Sequence, residues 1–265
     1  MKTTPPDQNE RRSVVVTGAS TGLGRAIATA FGALGWKVAI GARRTDRLAE
    51  TETAVTAAGG EVFSHPLDVT QTASIEAFYD AAEAALGPLE VLVNNAGMTT
   101  PGPVASLSAD ELRRVFETNT LGAIFCAQES IRRWQRDGFA RGDLIFISSE
   151  TAARPWPQNL PYGASKAALE HLARGLRLEL AGTGTRISVI QLGPAESEFG
   201  FGWDPEKTEA ATLAWAESRV LLHGDMMKPE EVADGVVLTV CAPRGVEVHD
   251  LVIKPTHPTG GDSPS

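Results

Sequence analysis

Short apolar runs alternate with longer amphipathic ones along the chain. The runs at residues 13–18, 36–43, 61–69, 89–97, 142–149, 185–193 and 246–255 are short and rich in Val, Ile, Leu and Phe. Such runs predict strands buried on both faces. Between them lie segments with helical spacing, at 23–35, 43–60, 72–87, 108–138, 162–184 and 229–243. Gly35, the Gly59-Gly60 pair and Ser108 stand where helices stop or start. Strand and helix in strict alternation predict an α/β fold, a doubly wound parallel sheet with helices on both faces. No break in composition divides the chain, so residues 12–255 are expected to form one domain. The polar, proline-bearing residues 1–11 and the Gly/Ser/Pro-rich residues 256–265 are expected to be loose tails.

Composition narrows the function classes. A net charge of −9 over 265 residues argues against nucleic acid as the partner. Cys126 and Cys241 are the only cysteines, which supports neither a disulfide framework nor a metal site. No secretory leader or membrane-spanning run is evident, so a soluble cytoplasmic protein is expected, with no membrane partner.

The first strand runs into TGASTGLG, with Gly18, Gly22 and Gly24 before an alanine-rich helix. A bare backbone at a helix N-terminus can cradle a pyrophosphate, because free N–H groups and the helix dipole face the anion. The spacing G-x-x-x-G-x-G is not that of the common dinucleotide fingerprint, and a tight packed turn is the competing explanation. The second strand ends at Ala42 and is followed by Arg43 and Arg44, where NAD sites place an acid. Guanidinium groups there suit a 2′-phosphate. Asp68 ends the third strand, where it either accepts the adenine amine or caps the next helix.

Tyr162 and Lys166 stand four apart in YGASK, on one helix face. A neighbouring ammonium would lower the phenol pKa and make Tyr162 an acid-base group. Ser149 ends the fifth strand, at the sheet edge where ligands bind in open α/β folds. Asn119 interrupts an apolar helix face, either as a structural hydrogen-bonding group or as the holder of a relay water.

Together these motifs resemble the short-chain dehydrogenase/reductase family over roughly residues 13–255. TGASTGLG, LDVT, Asn94-Asn95-Ala96-Gly97 and the ordered set Asn119, Ser149, Tyr162 and Lys166 carry the resemblance. It implies a Rossmann-type three-layer sandwich and an oxidoreductase acting on a ketone or secondary alcohol with NADP(H), NAD(H) being the less favoured cofactor. It further implies that Asn119, Ser149, Tyr162 and Lys166 are catalytic. The cofactor would rest on Gly18, Ser20, Thr21, Gly22, Leu23 and Gly24, on Arg43 and Arg44, on Asp68 and Val69, and on Asn95, Ala96 and Gly97. Tyr162, Lys166, Gly193, Pro194 and Ser197 would complete that set, with Ser197 replacing the usual Thr beside the carboxamide. Two departures stand out: Leu192 replaces the usual Pro, and Thr21 stands where NADP-preferring members often carry a basic residue. Phosphate selectivity is therefore expected to rest on Arg43, with Arg44 second.

The segment 197–225 is expected to form a substrate lid, with GFG at 200–202 as a mobile part. Phe199, Phe201, Trp203, Leu213 and Trp215, with Trp156 and Leu160, either line a cleft for a hydrophobic or ring-bearing substrate, pack the lid on the sheet or bury a subunit interface. Arg154 either meets a substrate carboxylate or is simply exposed. The family also implies a homotetramer or homodimer. The valines of residues 232–240 and a final strand covered on both faces fit such an interface. The alternatives are an NAD-dependent dehydrogenase or epimerase on the same four residues, and a catalytically silent nucleotide-binding or scaffold protein.

Overall fold

The computed structural model describes residues 11–138, 141–200, 203–220 and 226–256, except the side chain of Phe199. Nearly all of both expected tails, Phe201 and part of the expected lid lie outside the described residues.

Seven parallel strands form one sheet in the order β3-β2-β1-β4-β5-β6-β7. They are β1 (Ser13–Thr17), β2 (Lys37–Ala42), β3 (Glu61–Pro66), β4 (Val91–Asn94), β5 (Asp143–Ser149), β6 (Arg186–Leu192) and β7 (Asp250–Ile253). Among the described residues eight α-helices connect or flank them: α1 (Gly22–Ala33), α2 (Thr45–Ala58), α3 (Thr72–Leu86), α4 (Ala109–Phe116), α5 (Gly122–Arg136), α6 (Leu160–Glu179), α7 (Pro205–Glu217) and α8 (Pro229–Val240). The doubly wound three-layer sandwich is therefore present. Chain order reverses between β1 and β4, the topological position at whose carboxyl edge open α/β sheets bind ligands.

Period-two alternation assigns each strand residue to one of two cores. Val14, Val16, Ile145 and Ile147 face Ile27, Phe31, Val232 and Val236 of α1 and α8. Val15, Leu144 and Phe146 face Phe78, Cys126 and Leu169 of α3, α5 and α6. Each fully buried side chain of this size stabilises the fold by about 1.5–3 kcal/mol before entropy is counted.

The structure departs from the sequence expectations in several places, among them an unexpected helix α7 and a last strand cut to Asp250–Ile253. The expected helix over 108–138 is interrupted at Glu117–Leu121 by a π-helical turn centred on Asn119. β3 stops at Pro66, two residues short of Asp68. The last strand is not covered on both faces in the single chain: it is the terminal strand, α8 covers only one side, and Val252 is 52% exposed. Finally, Val232, Val236 and Val240 are core residues under α8, whereas Leu238 points outward at 67% exposure. Substitution at Val236 or Val240 would therefore disturb the core, and Leu238 is the outward position.

At the amino edge of the sheet one carboxylate joins distant strands. Asp143, 1% exposed, accepts from Arg12 and Arg186 at 2.6 Å each and from Arg244 at 3.0 Å. Arg12 also donates to Glu90 at 2.9 Å and stacks over Trp36. Removing the carboxylate would leave three guanidinium groups crowded without their shared acceptor. Asp143→Ala is expected to cost about 3–5 kcal/mol in chemical denaturation, the range for breaking a buried ion pair on one side. A loss under about 1 kcal/mol would show that the cluster is not a tie.

Candidate active site

The turn between β1 and α1 is held against the end of β4. Thr17 Oγ1 accepts from Asn95 N at 3.1 Å and Ala96 N at 3.0 Å. Asn95 Nδ2 donates back to Thr17 O at 2.9 Å and Gly18 O at 3.2 Å. The backbones approach so closely that side chains are excluded. A Cβ on Gly18, whose φ is +66°, would lie 2.8 Å from Ala96 Cα. A Cβ on Gly24 would run into Gly18 O. The helix cap residue Thr21 makes no side-chain cap bond, so no side chain covers the opening of α1 in the way a capping hydroxyl would. These features fit a dinucleotide: bare backbone, positive φ at Gly18 and Gly22, and a helix start facing the crevice.

Arg43 and Arg44 follow β2, and both are exposed. Arg44, the one expected to be secondary, reaches the glycine turn, donating to Thr21 Oγ1 at 2.8 Å and Ser20 Oγ at 3.2 Å. Arg43 makes no side-chain bond among the described residues. Asp68 is not the helix cap, a place taken by Gln71. Its Oδ1 instead closes a local turn by accepting from Thr70 N at 3.0 Å and Thr70 Oγ1 at 2.8 Å. Val69 packs where a Cβ on Gly122 would meet its Cγ2 at 2.7 Å, which fixes the start of α5. Leu23 packs partly buried on the core at the start of α1.

The remaining expected residues converge on the carboxyl edge. Asn119 is fully buried and its amide is committed to protein: Oδ1 accepts from Met98 N at 2.7 Å, and Nδ2 donates to Met98 O at 2.8 Å and Ser165 Oγ at 2.9 Å. It thereby joins the segment after β4 to α6. Gly97 lies between Asn119 Oδ1 and Lys166 Nζ, each 3.5 Å from a Cβ built on it. Ser149 ends β5 and accepts from Thr151 Oγ1 at 3.0 Å. The preceding Ser148 turns to the helix side and donates to Glu170 at 2.8 Å, so Ser149 is the serine at the crevice. Tyr162 is hydrogen-bonded to Ser149. Lys166, 3% exposed, donates to Ile147 O at 2.8 Å and sits 5.7 Å from the centre of the Tyr162 ring.

The electrostatics correct one expectation. Burial pushes the Tyr162 phenol up to about 12, and the Ser149 hydrogen bond offsets only part of that. Burial pushes Lys166 down to about 8. In the chain by itself desolvation therefore outweighs the ammonium, which lies over the ring face and is bonded to a carbonyl.

Gly193 and Pro194 follow β6. A Cβ on Gly193 would meet Pro255 Cδ at 3.2 Å, and Pro194 O accepts from Met227 N at 3.0 Å. Ser197 is exposed and lies over the glycine turn, 3.4 Å at Cβ from a Cβ built on Gly22. On the substrate side Trp156 and Trp215 stack edge to face at 5.4 Å, and Trp215 Nε1 donates to Pro157 O at 2.7 Å. These two indoles pack α7 onto the loop before α6. Leu160 and Leu213 are 45% and 59% exposed. Arg154 donates to Arg219 O at 3.0 Å.

The model of the short chain dehydrogenase family matches residues 12–207. The chain belongs to that family. This places it among oxidoreductases that act between alcohols and ketones. A "Short-chain type dehydrogenase/reductase" of Picea abies is 35% identical to this short-chain dehydrogenase, over 92% of this chain and 90% of the relative. Glycine betaine reductase ATRR of Emericella nidulans is 32% identical over 91% of this chain, which spans 18% of that protein's length. The closed form of serine dehydrogenase, a structure complexed with NADP+, superposes with a TM-score of 0.81 at 26% identity, covering 96% of this chain and 99% of the other. Among the described residues no helix is long and apolar enough to cross a membrane.

Sequence reasoning missed Thr17, Ser165 and Glu198. Thr17 stands directly before Gly18, and a hydroxyl at the last strand position was the available signal. Ser165 and Glu198 act through bonds across the fold, for which the local sequence carries no signal.

Lys166 also bears on stability. Its pKa falls from 10.5 unfolded to about 8 folded, so folding is opposed by the buried charge below about pH 8. That opposition fades as pH rises towards 10.5. Lys166→Met is expected to gain about 1–3 kcal/mol at pH 7, less than the shift alone implies because the bond to Ile147 O is lost. The gain should shrink as pH rises above about 8 and be nearly gone by the unfolded value of 10.5. Denaturant midpoints at pH 7 and 10 check this, and a loss of stability at pH 7 would contradict it.

Proposed function

We propose that this short-chain dehydrogenase interconverts a ketone and a secondary alcohol with NADP(H). The observation that carries the reading is the Ser149–Tyr162 hydrogen bond beside Lys166, at the crevice the glycine turn opens onto. Two hydroxyls on one edge can share a carbonyl oxygen, holding it and polarising it. With its pKa near 12, Tyr162 is protonated at neutral pH, the state required to give a proton to a nascent alkoxide. When bound, the nicotinamide supplies or takes up the hydride. Lys166 would hold its ribose and, once drawn from Ile147 O, favour the phenolate in the oxidative direction. Asn119 fixes the segment around Gly97 to α6 with both amide hydrogens, so a relay water there would donate to the second lone pair of Oδ1 or use backbone.

The NADP(H) preference is supported by two arginines after β2 with no acid in their place, and Arg44 is the anchored one. The relatives' cofactors support a nicotinamide in general. A hydrophobic or ring-bearing substrate is favoured by the exposed apolar side chains of Leu160 and Leu213 on α6 and α7, at 45% and 59% exposure. Assembly as a homodimer or homotetramer is favoured by Leu238, Val246 and Val252, which are 67%, 48% and 52% exposed at the open end of the sheet.

Tyr162→Phe is expected to abolish turnover with cofactor binding nearly intact. Single-turnover transfer at a near-normal rate would sink the assignment. Arg44→Ala should weaken NADPH binding by about 1–2 kcal/mol, more than Arg43→Ala, with NADH little changed. Titration of cofactor fluorescence with each variant decides between the two arginines. In light scattering, a charged substitution at Leu238 should lower the oligomer mass while leaving the fold intact. A wild type that stays at monomer mass across a tenfold concentration range would exclude the assembly.

A further inference from the structure

The guanidinium of Arg44 has a third partner. Besides Ser20 and Thr21, it donates to Glu198 Oε2 at 3.3 Å. Glu198 does not belong to the cofactor-binding half of the fold. It opens the short helical turn after β6, in the segment that leads to α7. That segment comes down on the glycine turn: a Cβ built on Gly22 would lie 3.4 Å from Ser197 Cβ and 3.7 Å from Glu198 N. A carboxylate from the segment after β6 is thus brought, by backbone packing as well as by charge, to the arginine after β2 that reaches the glycine turn.

Resting on the NADP(H) reading above, we propose that Glu198 sets cofactor selectivity by competing with the 2′-phosphate for Arg44. One guanidinium can serve two anions only at the cost of their mutual repulsion. A monoester phosphate carries nearly two charges near neutral pH, against one on the carboxylate. The phosphate therefore takes the fork of Arg44, and Glu198 is released to solvent. NADH brings no such rival and leaves the pair in place. Glu198 acts against NADPH without touching NADH, and so lowers a preference that Arg44 creates. The same exchange loosens the segment over Gly22 only when the phosphorylated cofactor is present.

The test is a set of dissociation constants for NADPH and NADH, measured by cofactor fluorescence on wild type, Glu198→Gln, Arg44→Ala and the double variant. Gln keeps size and hydrogen bonding but removes the charge. NADPH should bind roughly 3- to 10-fold tighter to Glu198→Gln at low salt, the scale of losing an exposed ion pair plus a like charge. NADH should move less than about twofold. In the Arg44→Ala background the same change should have no more than a residual effect, which separates competition for Arg44 from a general effect on the lid. Equal shifts for both cofactors, no shift, or a full shift without Arg44 would each overturn the proposal. A wild type that binds both cofactors equally would overturn the NADP(H) reading instead. The proposal would then stand if Glu198→Gln alone produced NADPH preference, and fall if it did not.

Discussion

The short-chain dehydrogenase site hangs on the interlock between Thr17 and Asn95. Strands β1 and β4 are neighbours in the sheet but far apart in sequence, and at their carboxyl ends the chain leaves in opposite directions. The loops there expose backbone groups that need partners in a partly dry place. Thr17 supplies an acceptor for two amides of the β4 loop, and Asn95 supplies donors for two carbonyls of the β1 loop. The reciprocal bonds pull the loops into contact, and that contact forbids a Cβ on Gly18 or Gly24. The glycines therefore serve two purposes. They bare the backbone towards a ligand, and they let the crevice floor close.

From that floor the proposed catalytic groups are positioned by a second link. The π-turn at Glu117–Leu121 aims the Asn119 amide at both Met98 and Ser165. Ser165 Oγ donates in turn to Tyr162 O at 2.7 Å, within the first turns of α6. The β4 loop, the helix of the π-turn and the helix of Tyr162 and Lys166 thus share one chain of hydrogen bonds. An α-helical turn at the same place would rotate Asn119 away from one of its partners. The irregularity costs regular helical bonding and gives the side chain its reach. Desolvation acts on the same groups. Lys166 is held below its ordinary pKa and Tyr162 above, a strained ground state ready to respond to a ligand that brings its own dipoles and charge.

The strands, the layer architecture and the glycine turn were legible because they follow from local rules: apolar runs, helical spacing, and residues without a Cβ between them. Ser149, Tyr162, Lys166 and Asn119 were legible as a set through the family's motifs, and the structure brings them to one edge. What could not be read depends on side-chain direction across the fold. Val236 and Leu238 look alike in sequence, yet one faces Ile27 and the sheet and the other faces outward. Arg43 and Arg44 are equally basic, yet only Arg44 points to the glycine turn. Asp68 reads from the sequence as the end of the third strand, but the strand stops at Pro66 and Asp68 Oδ1 closes a turn with Thr70 that has no sequence signature distinct from a cap. The direction of the Tyr162 shift was misjudged because spacing reports which groups are near, not which is desolvated.

Stability and chemistry are separated along the strands. At the amino edge, Asp143 gathers Arg12, Arg186 and Arg244, and Arg186 also donates to the carbonyls of Val240, Ala242 and Val246. That edge is saturated with bonds between elements from the beginning, middle and end of the chain, so the order of the central strands is fixed there. At the carboxyl edge the glycine turn is uncapped by any side chain, a basic side chain is borrowed by an acidic one, and an ammonium sits on a carbonyl. Each of those arrangements is less favourable than it could be, and each can be exchanged for bonds to a ligand. A sheet anchored firmly at one edge can tolerate this at the other, because the strands transmit position without transmitting the strain.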